Sequence, residues 1–338
     1  MFDIGGTSTR AGAYDPARDA VTRSVRAPTP SFHRLGLEPG PALRDRLYAE
    51  VAEMGAALFP DGAPAAVSVG FPGPMDRAGR IAAVPTVWGD DPTLAPSEVR
   101  DTLTALWPRS AVYLLNDVTA AGQRYLRSSV DDVCVVTVST GIGHKVFCDG
   151  RVQTGPSGRG GEIGHWRVSE DPGAPVCQCG GRGHLGALAS GTATAYHLAR
   201  AEADAPDAFR TSALRAALTD GRADNEAFVA AYHAGDAVAD WIVGDMARML
   251  GDAVATLHLG VGVERFVLIG GFALALGDRY RAEVERAGAL GSWRGGMDCL
   301  VRVELGVADD DSGLVGAGRY AAACEADRVL TWDRAVAA

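Results

Sequence analysis

Apolar positions along the chain follow two periods, and the places where the period changes mark the elements. Leu43, Leu47, Val51, Met54 and Leu58 recur at three- and four-residue spacings, which predicts an amphipathic helix from about Gly40 to Phe59 with that stripe against a core. Ala65–Phe71 is a short apolar run closed by Pro72-Gly73-Pro74 and predicts a buried strand. Val112–Asp117 predicts another strand, ending on Asn116-Asp117 with small residues behind it that open a helix. Met1–Ile4 runs into Gly5-Gly6-Thr7, the tight turn of a hairpin, and Val133–Val138 runs into a second glycine turn, Ser139-Thr140-Gly141-Ile142-Gly143. From Thr194 to about Leu259 the pattern is helical throughout, broken near Ala205-Pro206 and Asp220-Gly221, with Asn225–Leu259 as one long helix or two joined ones. Phe266–Ile269 predicts a buried strand ending on Gly270-Gly271, and a last helix begins near Ser312. There is no short fixed-period repeat. Each half opens on strand, glycine turn, strand, as a duplicated α/β fold would.

Composition narrows the function classes. A chain of 338 residues with 47% apolar content suffices for two lobes, and a formal charge of −10 argues against nucleic acid as a main partner. No apolar stretch reaches the ~18 residues that a membrane helix needs, and the N-terminus has no signal-peptide pattern. Six cysteines, two of them in a metal-type loop, fit a reducing cytoplasm better than a disulfide framework. Lys145 is the single lysine among 32 basic residues, which reads as coding bias. Asp309-Asp310-Asp311 reads as a solvated acidic turn.

The candidate chemistry gathers around Gly158–Gly191. His165, Cys177, Cys179 and His184 lie within twenty positions of one another, and two thiolates with two imidazoles suit a tetrahedral zinc ion. Small buried thiols and surface histidines are the alternative; a Cys177–Cys179 disulfide would be badly strained. Glu162, three residues before His165, would place a carboxylate beside an imidazole, a pair suited to the hydroxyls of a polyol. Glycines at Gly5 and Gly6 let backbone approach a phosphate beside the Thr7 hydroxyl, and Asp3 at the strand end can hold a hydrated Mg²⁺. Asp117, at a strand end beside a helix start, is placed either to accept a proton from a bound hydroxyl or to cap the helix; spacing leaves both open. Asn116 can hold the same substrate through its amide. Gly270-Gly271 is a place where a flat ring can lie close to backbone.

These motifs, in this order, resemble the ROK family of sugar kinases and sugar-responsive repressors, within the actin, Hsp70 and hexokinase superfamily. The resemblance covers nearly the whole chain: Asp3-x-Gly5-Gly6-Thr7, the Pro-Gly73-Pro turn, Asn116-Asp117, Thr140-Gly141-Ile-Gly143, and Gly-Glu162-x-Gly-His165 followed by the cysteine loop. It implies a two-lobed actin-like (ribonuclease H-like) α/β fold with a cleft between lobes. Residues 1–115 plus 314–338 would form one lobe and 116–313 the other, the zinc loop spanning 158–191. It implies ATP, Mg²⁺ and structural Zn²⁺ and a homo-oligomer, dimer or tetramer. Asp117 would be the catalytic base, with Gly73, Asn116, Glu162 and His165 on the substrate. The two glycine turns would hold phosphates and Gly270-Gly271 the adenosine. Trp88 matches a position near the cleft, though a lone Trp is more often packing. The repressors carry a DNA-binding segment before the first strand, for which this sequence has no room. It also departs from the pattern: His184 stands where a third cysteine is usual, which keeps a ligand, and Gly186 where a sugar-contacting glutamate is usual. His144 replaces a glycine. The expectation is therefore an ATP-dependent kinase acting on a primary hydroxyl, its substrate an amino sugar or a C7-cyclitol. An ordinary glucokinase and a non-catalytic sugar sensor are the alternatives.

Overall fold

The computed structural model describes residues 1–336 except 37–39, 61, 77, 82–83, 85–86, 89–98, 156–157, 220–221 and 293–299. Contacts divide the chain into two compact units, Met1–Leu126 with Thr154–Gly160 and Asp309–Ala338, and Arg127–Gln153 with Gly161–Ala308.

In the first unit the strands are β1 (Phe2–Ile4), β2 (Ser8–Asp15), β3 (Ala20–Pro28), β4 (Ala66–Phe71) and β5 (Ala111–Asn116). Their order is β3-β2-β1-β4-β5, with β1–β2–β3 antiparallel and β1–β4–β5 parallel. The helix Pro41–Leu58 lies where its period predicts, and it buries Leu43, Leu47, Val51, Met54 and Leu58. Trp88 is buried with its ring 5.6 Å from that of Phe71, so it packs the core.

The second unit repeats the plan. Its strands are β6 (Val133–Val138), β7 (Ile142–Cys148), β8 (Arg151–Val152), the small hairpin β9 (Leu218–Thr219) and β10 (Arg222–Ala223), then β11 (Arg265–Ile269) and β12 (Arg302–Leu305). The large sheet runs β12-β11-β6-β7-β8, antiparallel through β6–β7–β8 and parallel through β6–β11–β12. In both units, then, the strand that carries the glycine turn sits at the centre of five. A meander lies on one side and parallel crossovers on the other, which puts the turns at the strand ends where ligands of such sheets bind.

The stretch expected to be helical breaks at Ala205-Pro206 as predicted; Asp220-Gly221, the second expected break, lies outside the described residues, and a further break comes at Ser212. After the helices Thr194–Asp204 and Pro206–Thr211, a 3₁₀ turn (Ala213–Ala217) and β9–β10 intervene. Asp236 accounts for the break at Ser212. Its carboxylate accepts from the Ser212 hydroxyl at 2.9 Å and from Ala213 N–H at 2.9 Å, giving the backbone a non-helical partner. Asp236 also caps the helix Ala237–Val261 through Val238 and Ala239, so the segment from Asn225 onward forms two helices, Asn225–His233 and Ala237–Val261. None of the described helices is long and apolar enough to cross a membrane.

Candidate active site and metal centre

In the first unit β5 delivers Asn116 and Asp117 to the start of the helix Asp117–Gln123. Asn116, in extended conformation, is the cap: its Oδ1 accepts from Val118 N–H at 3.1 Å and Thr119 N–H at 3.2 Å. Its Nδ2 donates to the Gly73 carbonyl at 3.1 Å, tying the Pro-Gly-Pro turn after β4 to the end of β5. The N-cap is thus Asn116 and not Asp117. Asp117 is the first helical residue, partly exposed, with Oδ1 accepting from Val118 N–H at 2.9 Å.

The first glycine turn is buttressed from β3. Thr29 Oγ1 donates to Gly5 O at 2.6 Å, Thr29 N–H donates to Thr7 O at 3.0 Å, and Gly5 N–H closes the turn on Ser8 O at 3.1 Å. Asp3 leads into it. Arg10 donates to Asp3 Oδ2 at 3.2 Å, and burial pushes the Asp3 carboxyl above its ordinary range, with Arg10 opposing. The acidic turn is not merely solvated, as its composition suggested: Asp309 is paired with Arg124 at 2.6 Å, and Asp310 with Arg10 at 3.0 Å and Arg26 at 3.2 Å. Arg10 thus bridges Asp3 to the residues preceding the helix Ser312–Val336.

In the second unit the turn Ser139–Gly143 joins β6 to β7, with Thr140 and Gly141 exposed. Ser190 Oγ and Thr192 Oγ1 each donate to the Thr140 carbonyl at 2.9 Å, and Gly191 N–H donates to Ser139 O at 2.8 Å. Beside it Gly270 ends β11 at φ +93, where a Cβ would stand 2.6 Å from Val138 O; only glycine permits that approach. Gly271 then opens the next helix with an exposed backbone.

The ligand-type residues converge as expected. Donor atoms of His165, Cys177, Cys179 and His184 all lie within 4.8 Å of one another. Cys177 Sγ is 3.6 Å from His165 Nδ1, and Cys179 Sγ is 3.3 Å from His184 Nδ1. Zinc bonds of ordinary length at tetrahedral angles put a sulfur–nitrogen edge at about 3.5 Å, so the donor set and its spacing fit that ion. A short hairpin carries the cysteines, with Cys177 N–H donating to Gly181 O at 2.7 Å and Gly180 N–H to Cys177 O at 2.8 Å.

Glu162 precedes the 3₁₀ turn Ile163–His165. Lys145 Nζ lies 3.7 Å from Glu162 Oε1, and His144 Nδ1 accepts from Ile163 N–H at 3.2 Å. Burial, and secondarily the charge of Lys145, push the His144 pKa down to about 4, so the ring is neutral and free to accept. Gly186 lies in the helix Leu185–Ala189, where a Cβ would come 3.2 Å from Gly164 O.

Each unit thus assembles its own set. Asp3, Gly5, Gly6 and Thr7 share the first with Gly73, Asn116 and Asp117. Thr140, Gly141, Gly143, Gly270 and Gly271 share the second with Glu162, His165, Cys177, Cys179 and His184. Sequence reasoning passed over Arg10, Thr29, Lys145 and Ser190, which act on these groups from neighbouring strands and turns. Lys145 alone carried a signal, as the single lysine.

The ROK family pattern matches residues 2–323. Over 333 residues the chain is 40% identical to a C(7)-cyclitol 7-kinase of Streptomyces hygroscopicus subsp. limoneus, covering 96% of this chain and 93% of that protein. It is 32% identical over 301 residues to a 2-epi-5-epi-valiolone 7-kinase of Actinoplanes sp., covering 84% of this chain and 80% of that one. The fold is similar to the crystal structure of a ROK family glucokinase from Streptomyces griseus in complex with glucose and AMPPNP, with a TM-score of 0.74, 23% identity, and 95% and 97% of the two chains covered. With the family pattern spanning both units and two kinases matched above 30% identity, the chain belongs to the ROK family and has the actin-like ATPase fold of its sugar kinases.

Proposed function

We propose that this chain is an ATP-dependent kinase that phosphorylates the primary hydroxyl of a C7-cyclitol. The observation that carries the reading is the 40% identity, sustained over 96% of the chain, with a protein that is itself a C(7)-cyclitol 7-kinase. Gly186 supports it from the site's chemistry. Its position abuts Gly164 of the Glu162–His165 loop and offers no carboxylate, so a substrate without an anomeric hydroxyl loses nothing there. A missing charged hydrogen bond to an aldose is worth roughly 1.5–3 kcal/mol, or about tenfold to a hundredfold in affinity.

In this mechanism the Asp117 carboxylate takes the proton of the acceptor's primary hydroxyl as its oxygen attacks the γ-phosphorus. The bond to the β–γ bridging oxygen breaks, and ADP leaves. The turns Gly5–Thr7 and Thr140–Gly143 bring backbone N–H groups and threonine hydroxyls to the phosphates, and Gly270-Gly271 gives the adenosine a bare backbone to lie against. Glu162 and His165 bond ring hydroxyls, while Asn116 and Gly73 hold Asp117 in place. Bound magnesium would neutralise phosphate charge, and Asp3, whose Oδ1 has no hydrogen-bond partner among the described residues, would help to hold it. Zinc would be held by His165, Cys177, Cys179 and His184 and would fix the loop that carries Glu162; it takes no part in the transfer.

The test is ADP release with ATP and Mg²⁺ against a valiolone-type cyclitol, glucose, mannose, N-acetylmannosamine and 3-amino-3-deoxyglucose. A kcat/KM for the cyclitol well above all others is expected. Preference for glucose would make the protein an ordinary glucokinase, and no turnover on the whole panel would point to a sensor.

A further inference from the structure

β7 presses two side chains against the Gly161–His165 loop. His144 N–H donates to Gly161 O at 3.3 Å, and its neutral ring accepts the N–H of Ile163 at 3.2 Å, so one residue grips the loop on both sides of Glu162. Lys145 follows it. The Lys145 side chain is 3% exposed while the Glu162 side chain is 41% exposed, and Nζ stands 3.7 Å from Oε1. A long carboxylate near a surface otherwise samples many rotamers, whereas an ammonium locked in the interior does not move to follow it. A buried ammonium in turn needs an anion, because an unpaired one is several kcal/mol unfavourable.

The slot is shaped for a compact cation. Gly161 crosses above it at φ +98, and a Cβ there would stand 2.6 Å from Lys145 Nζ. A planar guanidinium is broader and needs a wider fork of partners. In a chain whose other basic residues are all arginine, the one lysine sits in this closely covered slot. Coding bias accounts for the arginines but not for this exception.

We propose that Lys145 is a positioning residue for the phosphoryl acceptor: its buried ammonium aims the Glu162 carboxylate at the acceptor's hydroxyls, and His144 holds the backbone on which Glu162 is carried. The proposal rests on the reading of Glu162 as an acceptor-binding residue. It assigns to this chain a support for that carboxylate built from β7.

Steady-state kinetics on Lys145→Met, Glu162→Gln and the double variant, with a valiolone-type cyclitol and ATP varied in turn, test it. Lys145→Met is expected to raise the cyclitol KM about tenfold or more, the loss typical of a charged hydrogen bond, with the ATP KM unchanged and the melting temperature held or raised. In the Glu162→Gln background the same substitution should change the cyclitol KM no further, since Lys145 acts through that carboxylate. Independent, multiplying effects of the two substitutions would overturn the proposal. So would a lowered melting temperature with both KM values raised together, the signature of a merely structural lysine. If Glu162→Gln is defective and Lys145→Met is not, this proposal alone falls. If Glu162→Gln leaves the cyclitol KM untouched, the reading of Glu162 falls and takes this proposal with it.

Discussion

Asn116 does two jobs with one amide, and two substitutions separate them. Its oxygen accepts from Val118 and Thr119 at 3.1 and 3.2 Å, and its nitrogen donates to Gly73 O at 3.1 Å. Loss of a helix cap costs about 1 kcal/mol. Loss of the bond to a partly buried carbonyl costs about another 1 kcal/mol. Asn116→Ala should therefore destabilise the first unit by about 2 kcal/mol. Asn116→Asp keeps an acceptor for both N–H groups and adds charge at a helix N-terminus, worth about 0.3–1 kcal/mol, but cannot donate to Gly73. Its stability should stay within about 1 kcal/mol of the native chain. Activity should rank differently. A second carboxylate beside Asp117 raises the pKa of the base, so in Asn116→Asp the acid limb of the pH–kcat profile should move upward, whereas Asn116→Ala should lower kcat without moving it. Urea denaturation reports the first quantity through tryptophan emission, since Trp88 is buried against Phe71 at the end of β4. Native stability in Asn116→Ala, or an unmoved acid limb in Asn116→Asp, would refute the reasoning.

Asp117→Asn should lower kcat about 10²- to 10⁴-fold with circular dichroism and melting unchanged, and near-native turnover would remove Asp117 from the base's role. Metal analysis of the purified protein should find zinc near one equivalent per chain; Cys177→Ser or a strong chelator should remove it and lower the melting temperature. A native chain without zinc would sink the tetrahedral site. His144 gives a pH dependence with a definite sign. Its pKa is depressed from 6.5 to about 4, so within that window the unfolded chain carries a proton that the native one lacks. Its share of the stability is complete above pH 6.5 and lost as pH falls through that window, by up to about 1.4 kcal/mol per unit. His144→Gln should flatten that slope in denaturation midpoints measured from pH 7 to 4, and an unchanged slope would assign it to other groups.

Much of the site was legible because its chemistry is local. Asp3-x-Gly5-Gly6-Thr7 and Thr140-Gly141-Ile-Gly143 are turns whose residues must be neighbours in sequence to make them. The zinc-type ligands fall within one short loop, so their clustering could be read before any fold was known. The stripe Leu43–Leu58 and the apolar run Phe266–Ile269 likewise announce their elements, since burial on one face or both leaves a period in the sequence. The misread stretches are those decided by partners far away. The break at Ser212 and the 3₁₀ turn behind it depend on Asp236, and in the acidic run Asp309 is ion-paired to Arg124 and Asp310 to Arg10 and Arg26. No local pattern announces such pairs.

By itself, then, the sequence determined where the strands end in glycine turns, which residues can ligate a metal, and that the two halves repeat one plan, because each of these follows from backbone freedom or side-chain chemistry within a few residues. The tertiary structure alone decided which group caps and which stands first in the helix at Asn116-Asp117. It alone decided that Asp3 answers to Arg10, and that the one lysine lies buried against Glu162. These depend on which strands become neighbours and on how far each charge is taken out of water, and a burial term exists only once the chain has closed around it.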